Sequence, residues 1–253
     1  MTNLREDHNM TKRIHQKEFK RVETKYLVSL AQLPHLLSDL GEYMEADDFA
    51  QSTITSLYFD TEHFDMVQDS LAKKYGKEKL RLRTYDRNGD LEAPAFLEIK
   101  QKIDGVGYKY RIKTSPKQAG LLAAGDMENH TEDKRLLAQL ETLQQRYGTI
   151  KPRMLISYKR LSFKGKDNPS IRVTLDTSIT YALVNDLVLT SSMALPLLPE
   201  QQLIMEIKVS DQLPAWLENI LNQYNLDKVS FSKYGQAYTL YQSKMLEREA
   251  HYA

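Results

Sequence analysis

The chain of 253 residues has no cysteine, which removes disulfides, thiolate zinc sites and cysteine nucleophiles together and fits a reducing compartment. It has no long apolar run either: nothing approaches the roughly 18 consecutive apolar residues that mark a membrane-crossing helix. The opening stretch MTNLREDHNMTKRIHQKEFKR is charged throughout and has no apolar segment of the kind a secretory signal needs. Charge of one sign is also missing, since 35 lysines and arginines face 34 aspartates and glutamates. A net charge of +1 gives no general attraction to nucleic acid or an anionic membrane. The six histidines, His8, His15, His35, His63, His130 and His251, show no metal-binding spacing. Gly120 and Gly125 are followed by Asp126 and not by the lysine of a Walker phosphate loop. The expectation is a cytoplasmic protein without histidine-metal or Walker chemistry.

What is present is enough apolar material, 41% of residues, for a substantial core. No repeat, low-complexity tract or Gly/Ser linker divides the chain. Residues 1–17 read as a disordered N-terminal tail and residues 18–253 as a single domain starting near Phe19. Helical spacing appears at Leu33, Leu36, Leu37 and Leu40, at Leu136, Leu137, Leu140 and Leu143 with Gly148 as a stop, and at Leu213, Trp216, Leu217, Ile220 and Leu221. Ser115-Pro116 reads as a capped helix start, and Ser232 to Leu246 as a closing helix.

Strand-like segments alternate charged and apolar residues at period two. In KLRLRTYD, Lys79, Arg81 and Arg83 share a face opposite Leu80 and Leu82; in FLEIK, Glu98 and Lys100 oppose Leu97 and Ile99. Lys109, Arg111 and Lys113 oppose Tyr108, Tyr110 and Ile112, with a turn at Asp104-Gly105 joining this run to the one before. Tyr158 goes with Arg160, Arg172 with Thr174 and Asp176, and Glu206 with Lys208.

Such faces have two readings. A solvated face of an antiparallel sheet alternates in the same way. The second reading closes the strands into a barrel and turns the row inward, with the helices covering the apolar outside. Cations outnumber anions on these faces in an otherwise balanced chain, and arginine, whose planar fork matches phosphate oxygens, is favoured over the usual Thr/Ser/Gln mixture. Both features favour the inward reading.

Taken in order, RVETKY, SLYFD, KLRLRTYD, FLEIKQK, SYKR, IRVTLD, MEIK and FSKY, between Arg21 and Tyr234, resemble the motifs of the VTC domain. This is the polyphosphate polymerase domain of the vacuolar transporter chaperone family and its bacterial relatives, within the triphosphate tunnel metalloenzyme superfamily. The resemblance implies an α+β fold: an antiparallel eight-stranded β-barrel tunnel with helices packed around the outside and a C-terminal helix. It implies transfer of the ATP γ-phosphate to a growing polyphosphate chain with Mn2+ or Mg2+. The alternatives are a triphosphatase using the same tunnel, and a non-catalytic polyphosphate-binding module working with an integral-membrane partner at the inner face of the membrane.

Carried over by position, Lys25, Arg81, Arg83, Lys100, Arg160, Arg172, Lys208 and Lys233 would act on the transferring phosphate. Lys79, Lys109, Arg111, Tyr158 and Ser232 would bind the chain. Glu206, with Glu98 or Glu23, would hold the metal. Arg21 stands where the wider superfamily has the first glutamate of its E-x-E-x-K motif, which favours the polymerase branch. The SPX sensor and transmembrane region of the eukaryotic protein are not matched, so neither regulation by phosphate signals nor direct export is carried over.

The residues themselves suit phosphoryl transfer, where catalysis is mostly positioning and charge stabilisation. A phosphate terminus is already anionic and needs no general base. For Glu98 and Asp176 an equal reading is ion pairing that limits repulsion between lumen cations. Nucleic acid is not an expected partner, because the basic faces are read as lacking interleaved aromatics.

Overall fold

The computed structural model describes residues 22–86, 88–103, 106–127, 131 and 133–252. The N-terminal tail, Arg21 and the Asp104-Gly105 turn lie outside the described residues. Nine strands form one sheet: β1 (Val22–Ser29), β2 (Met44–Asp60), β3 (Lys77–Thr84), β4 (Ala95–Ile103), β5 (Val106–Thr114), β6 (Lys151–Gly165), β7 (Arg172–Leu183), β8 (Leu195–Pro196) and β9 (Gln202–Val209). The helices are α1 (Leu33–Tyr43), α2 (Asp65–Ala72), α3 (Pro116–Ala124), α4 (Lys134–Tyr147), α5 (Ala215–Gln223) and α6 (Lys233–Tyr252).

The strand order is β1-β9-β7-β6-β2-β3-β4-β5, with the two-residue β8 beside β7. Every pairing is antiparallel. β1 and β5 end this order and no ladder joins them, so the expected barrel is a curled sheet that hydrogen bonds do not close. The free side of β1 is used otherwise: the Val229 N–H donates to the Lys25 carbonyl at 2.8 Å. The curl brings β1 and β9 opposite β3, β4 and β5, since side chains from all five line one cavity.

The period-two pattern does what the sequence requires of it. On the convex face Leu80, Leu82, Leu97 and Ile99 are fully buried beneath Leu122 of α3 and Leu136, Leu140 and Leu143 of α4. Val173, Leu175, Met205 and Ile207 are buried beneath Leu36 and Leu40 of α1 and Leu217 and Ile220 of α5. Each such leucine or isoleucine contributes about 1.5–3 kcal/mol through burial, so four helices fix which side of the sheet is outside.

The closing helix departs from expectation. α6 packs not on the outside but into one end of the concave face, where Tyr234, Ala237 and Tyr238 meet Ile54, Tyr58, Met154, Ile156 and Ile204. The inward face turns apolar there. The β6–β7 register shifts between Ser157 and Lys159, and Ser178 takes a left-handed conformation at φ 49°. The shift exchanges an inward row of Arg172, Thr174 and Asp176 for Ile179 and Tyr181.

α2 was not foreseen. It starts after Phe64, itself left-handed at φ 62°, with no side-chain cap of its own. Its free N–H groups are met from a distance: Asp60 accepts from Met66 at 2.9 Å and from Val67 at 3.0 Å. The expected caps elsewhere are present, with Ser115 accepting from the Gln118 N–H and Gly148 ending α4.

Candidate functional site

The concave face encloses a cavity of about 1270 Å3 with side chains from every long strand, β1 to β7 and β9. An inner chamber of about 500 Å3, floored by residues 228–233 ahead of and at the start of α6, shares many of these walls. All sixteen residues singled out from the sequence face this space or pair within it. Lys113 does not line it, so Lys109 and Arg111 are the lumen cations of β5.

β3, β4 and β5 build one wall in rungs. Register aligns Arg83 with Phe96, Arg81 with Glu98 and Arg111, and Lys79 with Lys100 and Lys109. Glu98, wholly shielded from solvent, is the hub. Arg81 donates to it at 2.8 Å, Lys109 lies at 2.9 Å, Arg111 at 3.5 Å and Arg83 at 3.6 Å. A carboxylate buried this way without partners would cost several kcal/mol. Burial pushes its pKa up, but Arg81, Arg83 and Lys109 outweigh that and hold it at about 2. Of the two roles open to Glu98, the geometry here is ion pairing. Four cations lie within 3.6 Å of its two oxygens.

A second hub is Asp176 on β7, also shut off from solvent. Arg160 grips it with two hydrogen bonds of 2.6 and 2.7 Å, and Lys233, at the first turn of α6, adds a third at 2.5 Å. Burial raises the Asp176 pKa, but the charges of Lys233 and Arg160 bring it below the usual carboxylate range. Lys233 also sits 4.5 Å from the centre of the Tyr158 ring.

The third group spans β1 and β9. Lys25 lies 3.1 Å from Glu23 and 3.7 Å from Glu206, while Lys208 pairs tightly with Glu206 and reaches Glu23 at 3.9 Å. Burial raises the Glu206 pKa, and Lys208 and Lys25 reverse the shift, so it lies well below normal. Glu206 and Glu23 are two carboxylate oxygen donors lining the lumen. That donor set suits a hard divalent cation whose remaining ligands come from phosphate and water. Among the described residues no group of three or more acidic or histidine side chains could hold a metal unaided.

Among the sixteen residues, two cations stand apart. Lys79 donates to Ser232 at 2.6 Å; among the described residues Lys100 has no hydrogen-bond partner and neither lysine has a carboxylate within ion-pairing distance. Lys100 lines the lumen among like charges. Burial, then Arg81 and Lys208, lower its pKa to about 7. Burial, then Arg81 and Lys25, lower Lys79 to about 8. Burial would raise the Tyr58 phenol, yet Arg81 and Lys79 bring it below its usual value, as a strongly positive interior requires.

Arg172 marks the rim, half exposed and held by Asp47 of β2. The sequence reading missed Asp47 and the uncharged donors Ser52, Thr53 and Ser162 that line the same end. It also missed the aromatics. Phe49, Tyr85, Phe96 and Tyr108 line the cavity, which corrects the expectation that the basic faces lack rings. Tyr85 and Phe96 were legible in principle, because they continue the inward parity of Arg81–Arg83 and of Glu98–Lys100.

A curled antiparallel sheet whose concave face gathers cations into one lumen defines a tunnel-type fold. The sequence model of the VTC domain matches residues 20–242, and the chain belongs to that family. It is 26% identical over 274 aligned positions to vacuolar transporter chaperone complex subunit 4 of Schizosaccharomyces pombe, covering 87% of this chain and 37% of that protein. The chain thus spans just over a third of that relative's length. A solved structure from Bacillus halodurans, described as a candidate adenylate cyclase, superposes with a TM-score of 0.52 at 16% identity, over 84% of this chain and 93% of the other. That likeness supports the fold alone. No helix among the described residues is long and apolar enough to cross a membrane.

Proposed function

We propose that the chain is a polyphosphate polymerase that transfers the γ-phosphate of ATP to the end of a growing inorganic polyphosphate chain inside the basic lumen. The observation that carries this reading is the convergence of cations from seven of the eight long strands, all but β2, on one enclosed space. A solvated charged face would spread them apart.

A terminal oxygen of the chain attacks the γ-phosphorus, the bond to the β-phosphate oxygen breaks, and ADP leaves, with no proton transfer required. Charge on the non-bridging oxygens grows and shifts during this step, and fixed guanidinium and ammonium groups stabilise it without reorganising. Arg81, Arg83 and Arg160 are held rigid by Glu98 and Asp176. Lys79 and Lys100, free of carboxylate partners among the described residues, supply charge for the ligand to neutralise. Tyr158 and Ser232 offer hydroxyls, and Lys109, Arg111, Arg172, Lys208 and Lys233 extend the track. Glu206 and Glu23 would hold Mn2+ or Mg2+, which when bound would neutralise phosphate charge and orient the oxygens.

One observation favours this reading over a triphosphatase. Glu98, Glu206 and Asp176 are all ion-paired with depressed pKa values, which makes them poor bases for activating water. An acceptor that is already anionic needs none. Purified chain incubated with ATP and Mn2+ tests the proposal on a gel. Long chains that disappear in Glu206→Gln support it. Phosphate release without chains indicates the triphosphatase, and polyphosphate binding without turnover under either metal indicates a binding module.

A further inference from the structure

Aromatic rings line the lumen on the side away from α6. Tyr85 and Phe96 meet edge to face, their centres 6.3 Å apart at 83°. The Arg111 guanidinium lies over the Phe96 ring at 3.6 Å. Tyr85 is 43% exposed, and Phe49, on the extension of β2 on the same side, is 80% exposed. The deeper lumen tyrosines are accounted for: Tyr58 is stacked on Tyr234 at 4.4 Å, and Tyr158 is buried under Lys233 and Arg160.

Arg111 is a loosely engaged member of the Glu98 cluster, at 3.5 Å with its side chain 36% exposed. With one face of its guanidinium on Phe96, its other face is the one that can meet a ligand. Bases stack on aromatic rings and on guanidinium planes, and the stacking tolerates any base because each has a π face. Phe96 occupies the rung of Arg83, and the next two rungs inward carry Arg81–Glu98–Arg111 and Lys79–Lys100–Lys109. Rungs repeat about every 7 Å along a strand. A flat base on the first rung leaves its attached phosphates within reach of the second and third.

We propose that Tyr85, Phe96 and Arg111 form a nucleobase-stacking subsite at the mouth of the lumen, which seats the donor nucleotide with its phosphates directed inward. This deepens the polymerase proposal and rests on its nucleotide donor. Growing inorganic chain has no base and makes no use of the subsite, so the platform would separate donor from acceptor.

Calorimetric titration of the full chain with two ligands tests it: an ATP analogue with nitrogen bridging the β- and γ-phosphates, and inorganic tripolyphosphate. Tyr85→Ala, at an exposed position, and Phe96→Leu, which keeps apolar volume without a stacking face, are the variants. Each is expected to weaken the nucleotide about tenfold and tripolyphosphate less than twofold. Equal losses for both ligands, or an unchanged nucleotide affinity, overturn the subsite. Wild-type protein that binds neither ligand contradicts the basic lumen itself, which keeps the two failures apart.

Discussion

Tyr234 donates its phenolic hydrogen bond to Asp60 at 2.7 Å, with both side chains closed to solvent. Asp60 also accepts from the backbone N–H groups of Thr61, Met66 and Val67. A single carboxylate thus ties the end of β2 and the first turn of α2 to the first turn of α6, which presents Ser232 and Lys233 to the lumen. Asp60→Ala would orphan several buried donors at about 1–3 kcal/mol each. It is expected to lower unfolding free energy in denaturant by about 3 kcal/mol or more. Tyr234→Phe keeps the stack on Tyr58 and is expected to lose about 1 kcal/mol.

Glu98 links stability to acid pH. Its pKa falls from 4.5 to about 2 on folding, so its contribution is complete above about pH 4.5 and is lost as pH drops through about 2. Unfolding midpoints measured between pH 5 and about 2 should fall, and Glu98→Gln should be destabilised at neutral pH with a flatter acid limb. An unchanged slope would contradict the hub assignment.

Lys100 works in the opposite range. Its pKa drops from 10.5 to about 7 in the empty lumen, so above about pH 7 much of it is neutral, and a phosphate chain must bring the proton back. Affinity should therefore weaken as pH rises from 7 and binding near pH 8 should take up protons, read as a dependence of calorimetric heat on buffer ionisation enthalpy. Between about pH 7 and 10.5 the unfolded chain holds more protons at this residue, so the empty protein gains stability as pH rises. Lys100→Ala removes a repelled charge without orphaning a carboxylate. It should leave the empty protein as stable or more stable while weakening phosphate binding.

Tripolyphosphate bridging these cations should stabilise the fold by mass action, by about 3 kcal/mol at a hundredfold excess over Kd. The melting temperature should rise by several degrees, and chloride at equal ionic strength should not match it.

Much of this was legible because a strand repeats every two residues. Lys79–Arg81–Arg83 and Arg172–Thr174–Asp176 separate cleanly from Leu80, Leu82, Val173 and Leu175, and a long apolar stripe such as Leu136–Leu143 can only be a buried helix face. What local pattern cannot carry stayed hidden. α2 is capped by Asp60 from across a turn. α6 turns inward because a bulge at Ser178 changes which β7 residues face it. Whether β1 meets β5 depends on long-range geometry that no motif encodes.

Titration with inorganic polyphosphate of defined length, wild type against the Lys79→Ala/Lys100→Ala double variant, tests the enclosed phosphate track most directly. Lys117→Ala, on the outer surface beside Glu92, is the control. One saturable site, weakened at least tenfold in the double variant and unchanged in Lys117→Ala, is the predicted result. Binding that survives loss of Lys79 and Lys100 undiminished, or that falls equally in the surface control, would contradict it.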